Sequence, residues 1–207
     1  MTYIKETFEP LSLEHAKDIV LSRDPSRPDK FEEETDFLVE FIEGQGLITS
    51  DSLVLDFGCG MGRVSKKLVE TFGCKVIGTD ISKRMLMFAE QYVHNPDKFQ
   101  SKFAHDTCDV DVIIAALVLQ HVEDPEKEIK HLYSVLKPGG HLVLLNEAKR
   151  FVPIGVDKNM YVIWNDDGIV INEVMSKYFT NTGFYHYCNR SDKPLSVWKK
   201  IGARARP

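Results

Sequence analysis

A chain of 207 residues, 43% apolar and 28% charged, has the balance of a soluble globular protein, which excludes the disordered and membrane-embedded classes. Its length fits one domain with terminal additions, large enough for a real core. The net charge is −5, and Lys and Arg are dispersed except around Lys199, Lys200, Arg204 and Arg206; neutralising many phosphates takes a basic face, so nucleic acid is disfavoured as a main partner. No apolar run approaches the ~20 residues that span a bilayer, and MTYIKETFEP lacks the pattern of a secretory signal, so a cytoplasmic protein is expected. Cys59, Cys74, Cys108 and Cys188 are scattered, with no CxxC pair. They read as reduced thiols rather than disulfides or zinc ligands.

In chain order, residues 1–50 read as a helical lead-in that caps the main domain. Pro10, Pro25 and Pro28 break any long helix there, but the apolar spacing predicts helices over Leu13–Leu21 and Phe31–Gly44. From Ser52 apolar runs alternate with helical stretches, the pattern of a parallel sheet with crossover helices. Predicted strands are Leu53–Phe57, Lys75–Asp80, Val110–Ala115 and His141–Asn146. Predicted helices are Arg63–Phe72, Lys83–Val93 and Asp124–Val135, the last stopped by the turn Lys137-Pro138-Gly139-Gly140. Residues 148–168 read as an aromatic-rich insertion, a candidate lid and acceptor pocket. A helix over Val170–Tyr178 is ended by Asn181-Thr182-Gly183, and short strands at Phe184–Cys188 and Leu195–Lys199 form an antiparallel hairpin. The main domain spans 51–200, and 201–207 read as a flexible tail.

The chemistry sits in VLDFGCGMG, residues 54–62. A buried strand runs into a loop with glycine at 58, 60 and 62, and a helix opens at Arg63, so its free N–H groups face whatever lies over the loop. Asp80 ends the next strand, eighteen residues after Gly62. A carboxylate there can accept both hydroxyls of an adenosine ribose. Loop and acid together favour an adenosine-containing cofactor over a structural turn.

VLDFGCGMGRVS, VIGTDIS, DVIIAALVLQHVEDP and LKPGGHLVL resemble the successive motifs of the class I methyltransferases that use S-adenosylmethionine, especially the group that includes ubiquinone and menaquinone biosynthesis enzymes. The resemblance spans residues 50–147. It implies an α/β, Rossmann-like three-layer sandwich, with a mostly parallel seven-stranded sheet in the order 3-2-1-4-5-7-6 and the last strand antiparallel. It also implies S-adenosylmethionine as methyl donor, S-adenosylhomocysteine as product and an acceptor site above the carboxyl ends of the strands. Carried onto this chain, Asp56, Gly58, Cys59, Gly60 and Gly62 border the methionine part of the cofactor and Asp80 its ribose. Ile81 packs on the adenine, and Leu117 lies beside the sulfonium. Asp56 has the alternative role of bracing the loop, and Ile81 and Leu117 that of core packing. The acid that contacts adenine in relatives sits well before the fourth strand. Here Asp106 is only five residues before Asp111, so either the loop is shortened or Asp106 is not that residue; Ala104 and Asp106 stand as candidates.

The expected reaction is methyl transfer by in-line displacement to an O or N atom of a small-molecule acceptor, by a monomer or homodimer with no metal. Positioning alone supplies ~7–11 kcal/mol of barrier reduction. A hydroxyl acceptor also needs its proton removed. His121 and Glu147 are the candidate bases; His121 alternatively caps the helix near Asp124 or fixes a loop, and Glu147 alternatively has a structural role. A non-catalytic cofactor-binding subunit and an NAD-dependent oxidoreductase are the competing readings. Against NAD, the third glycine comes one residue earlier than in GxGxxG, and S-adenosylmethionine has no phosphate to hold.

Overall fold

The computed structural model describes residues 8–21, 29–103, 109–122, 124–146, 169–187 and 190–202. Its elements are α1 (Leu13–Leu21), α2 (Lys30–Gly44), β1 (Leu53–Phe57), α3 (Arg63–Phe72), β2 (Lys75–Asp80), α4 (Lys83–Val93), β3 (Phe99–Phe103), β4 (Val110–Ala116), α5 (Pro125–Val135), β5 (Leu136–Leu145), α6 (Ile169–Tyr178), β6 (Phe179–Tyr187) and β7 (Arg190–Lys200). The sheet has seven strands in the order β3-β2-β1-β4-β5-β7-β6, as expected, with β7 antiparallel to β5 and β6. The chain divides into two compact units, Ile4–Thr107 and, with Met1–Tyr3, Cys108–Pro207.

In the first unit β1 pairs in parallel with β2, and β2 with β3. α3 and α4 pack on β2 and β3, α2 packs on α3, and α1 packs on α2 and α4. α3 begins after Gly62 and ends at Gly73, both in the left-handed region, with the Gly73 N–H closing onto the Val69 carbonyl. α4 begins at Ser82, whose hydroxyl accepts the Met85 N–H. β1 buries Val54 and Leu55, and β2 buries Val76 and Ile77, the continuous burial of strands covered on both faces.

In the second unit β4 and β5 pair in parallel and form a buried layer from Val112–Ala115 and Leu142–Leu145. Asp124 caps α5 by accepting the Lys127 N–H, with Pro125 in the first turn. α5 packs on β5, and α6 packs on α5 and β6.

Several boundaries differ from the sequence reading. β3 escaped it because Phe99-Gln100-Ser101-Lys102-Phe103 has apolar residues only at its ends, as suits a strand bordering β2 alone. Lys137–Gly140 does not separate α5 from its strand. Leu136 already pairs with Val110, and His141 pairs with Val112, so these four residues bulge out of β5. Asn181-Thr182-Gly183 does not end α6 either. The helix passes at Tyr178 directly into β6, and those residues mark a register shift against β7. Both hairpin strands are longer than expected, and β5 stops at Leu145, one residue before Asn146. Cys59 and Cys74 are free and buried thiols; Cys108 and Cys188 lie outside the described residues. No described helix is long and apolar enough to cross a membrane.

Gly62 shows why the loop-to-helix corner needs glycine. Its φ is +83°, and an added Cβ would stand 2.9 Å from Val93 Cγ2 and 3.2 Å from Ala89 Cβ of α4. Both backbone strain and overpacking follow. Gly62→Ala is expected to destabilise the protein by about 2 to 4 kcal/mol, read as a lower urea midpoint; an unchanged midpoint contradicts this account.

Candidate functional site

The glycine loop is fastened to the end of β2. The N–H groups of Gly58 and Cys59 both donate to the carbonyl of Thr79, at 2.8 and 2.9 Å. Gly60 N–H donates to Asp80 Oδ2 at 2.9 Å, and Ser82 N–H donates to Asp80 Oδ1 at 2.8 Å. Asp80 therefore stands beside the loop with its carboxylate held by backbone N–H groups, those of Gly60, Ser82 and Ile81. Each oxygen retains lone-pair capacity for a further donor. Partial burial raises the Asp80 pKa above the usual carboxylate range, and the N–H groups of Ser82 and Gly60 oppose that rise. Ile81 follows, 43% exposed, so its side chain is available to pack against a ligand. Thr79 Oγ1 is buried without a hydrogen-bond partner among the described residues.

Beneath the loop two charged groups are buried. Asp56, on β1, is 2% exposed; its Oδ2 accepts the Ser65 hydroxyl at 2.6 Å, and the Ser65 N–H also binds it. Desolvation pushes the Asp56 pKa up to about 6, against the opposing pull of Ser65 and the Arg63 charge. This carboxylate does brace the loop, because Ser65 lies in the first turn of α3. Arg63 Nη1 donates to Thr35 Oγ1 at 2.9 Å and to the Phe31 carbonyl at 3.4 Å. Its guanidinium also lies 5.5 Å from the centre of the Phe31 ring, which ties α2 to the start of α3. Cys59 is buried, and burial beside Asp56 and Asp80 drives its pKa well above the ordinary thiol value. An inert thiol results.

The first unit thus brings together Asp56, Gly58, Cys59, Gly60, Gly62, Asp80 and Ile81 in one loop cluster. In the second unit Leu117 follows β4 with φ +57°, in the left-handed region that a leucine seldom adopts, and its N–H donates to the Leu145 carbonyl at 2.6 Å. His121 ends a short 3-10 turn, Leu119–His121, half-buried, with Nε2 3.4 Å from Gln120 Nε2. It does not cap α5; Asp124 does. Ala104, Asp106, Glu147 and the whole of 148–168 lie outside the described residues.

The sequence reading missed Ser65, Thr35 and Ser82. Ser82 was findable as a cap residue before the apolar run of α4. Thr35 carried no signal, since its partner Arg63 is distant in sequence.

Residues 55–144 match the family described as a methyltransferase domain, on a sheet whose strand order the motif series had implied. Over residues 55–144, then, the chain is similar to a methyltransferase domain. Its relatives include phosphoethanolamine N-methyltransferase 1 of Zea mays, 28% identical over 78% of this chain. Another is the ubiquinone biosynthesis O-methyltransferase of Coxiella burnetii, 31% identical over 55% of it. The chain spans only 34% and 50% of those two proteins' lengths. The fold resembles that of magnesium protoporphyrin IX methyltransferase from Synechocystis PCC 6803, solved with bound SAM. That TM-score is 0.62, at 21% identity, with 82% of this chain and 79% of that one covered. PH0226 protein from Pyrococcus horikoshii OT3 gives a TM-score of 0.66 at 20% identity, with 83% and 92% covered.

The raised Asp56 pKa fixes a sign for the pH dependence of stability. A carboxyl that is more basic when folded holds its proton more tightly in the native state. Its contribution is full below the unfolded value of 3.8 and is lost as pH rises through about 6. Relative to Asp56→Asn, the wild-type protein is expected to lose on the order of 2 to 3 kcal/mol between pH 4 and pH 7. Urea unfolding across that range checks it, and parallel profiles for the two proteins count against it.

Proposed function

We propose that this protein transfers a methyl group from S-adenosylmethionine to an oxygen or nitrogen atom of a small-molecule acceptor. The observation that carries the reading is Asp80, a carboxylate fixed beside the glycine loop at the end of β2 by the Gly60 and Ser82 N–H groups. That arrangement fits a ribose, whose two hydroxyls are donors, and it repels a phosphate. The exposed Ile81 side chain suits an apolar base edge. The loop carries no cation aimed at a pyrophosphate, since Arg63 is buried against Phe31 and Thr35. A phosphate-free adenosyl ligand therefore suits this loop better than a dinucleotide does.

In this reading Asp80 holds the ribose, Ile81 packs on the adenine, and Gly58, Gly60 and Gly62 let the backbone approach the methionine portion. Asp56 and Cys59 support the loop from below. When bound, the cofactor supplies a methyl group already activated by a sulfonium. The protein's task is to align and to exclude water. Leu117 in its left-handed conformation is the kind of strained residue that a site retains, and it is assigned to the sulfonium side. His121 is assigned to accept the proton of a hydroxyl acceptor, since an imidazole is the side chain that most often does this work. Glu147 and the 148–168 segment remain assigned to the acceptor side by sequence alone. The relatives named above act on phosphoethanolamine nitrogen and in ubiquinone biosynthesis, so both acceptor elements occur among proteins similar to this chain.

Calorimetric titration with S-adenosylhomocysteine tests the reading. Micromolar binding is expected, weakened about a hundredfold in Asp80→Ala, since two hydrogen bonds to a charged acceptor are lost. No binding by the wild-type protein, or tighter binding of NADH, overturns it. His121→Ala is expected to lower turnover of a hydroxyl acceptor about 100-fold or more without changing S-adenosylhomocysteine affinity. An unchanged rate removes His121 from the chemistry.

A further inference from the structure

The segment from Phe8 to Leu21 lies against the glycine loop and the turn after β2, all within the first compact unit. Ala16 is fully buried and shares a cluster with Met61, Met85 and Phe31, against which Val20 also packs. Met61 stands between Gly60 and Gly62, so α1 rests on the loop itself. From the same helix Val20 Cγ2 comes 3.3 Å from the place a Cβ on Gly60 would occupy. Ahead of α1, two polar ties hold the chain down. The Ser82 hydroxyl donates to Glu9 Oε2 at 3.1 Å, and Arg84 Nη1 donates to the Pro10 carbonyl at 3.3 Å.

Ser82 therefore joins two carboxylates. Its N–H holds Asp80, and its hydroxyl holds Glu9. α1, a helix of nine residues, holds by Ala16, fully buried, with Leu13, Ile19 and Val20 partly buried against the same cluster. A short segment whose apolar side chains are mostly only partly buried opens at lower cost than a core strand. The Glu9 and Arg84 ties add to that grip ahead of the helix.

We infer that Glu9 is a positioning residue that latches residues 8–21 across the adenosyl end of the cofactor site, so that cofactor exchange requires the latch to release. The inference rests on the S-adenosylmethionine reading above. Glu9 acts through Ser82, the residue that also steadies Asp80, and is not a catalytic residue. While the latch is closed, Val20 and Met61 keep α1 on the loop. Its release uncovers Gly60 and the Asp80 turn together.

The test is the rate of S-adenosylhomocysteine association and dissociation, by surface plasmon resonance on the full chain, for wild type, Glu9→Ala, Glu9→Gln and Arg84→Met. Glu9→Ala is expected to raise both rates about tenfold, the scale of one charge-assisted hydrogen bond, with Kd changed far less. Glu9→Gln keeps an uncharged acceptor for the Ser82 hydroxyl and is expected to bring both rates back to within a few-fold of wild type. Arg84→Met, which cuts the other tie, moves both rates in the same direction as Glu9→Ala. Wild-type rates in both Glu9→Ala and Arg84→Met overturn the latch. Faster dissociation with unchanged association in Glu9→Ala also overturns it, because Glu9 is then a direct ligand contact. Should Glu9→Ala fold poorly, Arg84→Met alone decides by the same criterion. Absence of binding by a wild-type protein that is folded, shown by its cooperative unfolding, rejects the functional reading rather than the latch.

Discussion

Two backbone N–H groups, those of Gly58 and Cys59, converge on the single carbonyl of Thr79. This fastening makes the glycine loop and the β2 terminus one object. The parallel register of β1 and β2, from Leu53 opposite Lys75 to Phe57 opposite Thr79, delivers both chain ends to the same level. The loop then turns back over the end of its neighbour. Asp80 comes next in the chain and receives the Gly60 N–H, so the group proposed to hold ribose is positioned by the loop proposed to hold the rest of the cofactor.

Such a loop needs support from below, and the support is costly. Asp56 and Arg63 are both buried, and each is held by neutral partners: Asp56 by Ser65, and Arg63 by Thr35 and Phe31. Buried charge is tolerated only where hydrogen bonds replace water. The partners come from α2 and α3, so the helical lead-in is part of the scaffold of the loop. Gly62 serves the same scaffold, because its missing side chain admits Ala89 and Val93 of α4.

The second unit has its own point of tension. β4 and β5 form a closely apolar layer, and at its carboxyl end Leu117 takes a left-handed conformation while donating to Leu145. Asn146, one residue further, buries both polar atoms of its side chain without a hydrogen-bond partner among the described residues. Strain and unsatisfied polarity gather at strand ends, where α/β folds of this type carry their ligands.

Elements with strong periodicity and clear punctuation were legible in the sequence. α1, β1, α3, β2 and α4 have the expected limits, because Gly62 and Gly73 bracket α3 and β1 is apolar except for Asp56. The spacing of Gly58, Gly60, Gly62 and Asp80 marked the site, because a loop at one strand end and an acid at the next must meet when those strands are parallel neighbours. β3 was illegible because a border strand with one neighbour needs little apolar sequence. The Lys137–Gly140 bulge was illegible because glycine and proline signal a change of direction and not whether pairing resumes beyond it. The tertiary structure alone decided which residues serve the site from afar: Thr35 for Arg63, and Glu9 for Ser82. Periodicity reports that a face is buried; only the packed fold, which brings residues 28 and 73 positions apart within hydrogen-bond distance, reports against what.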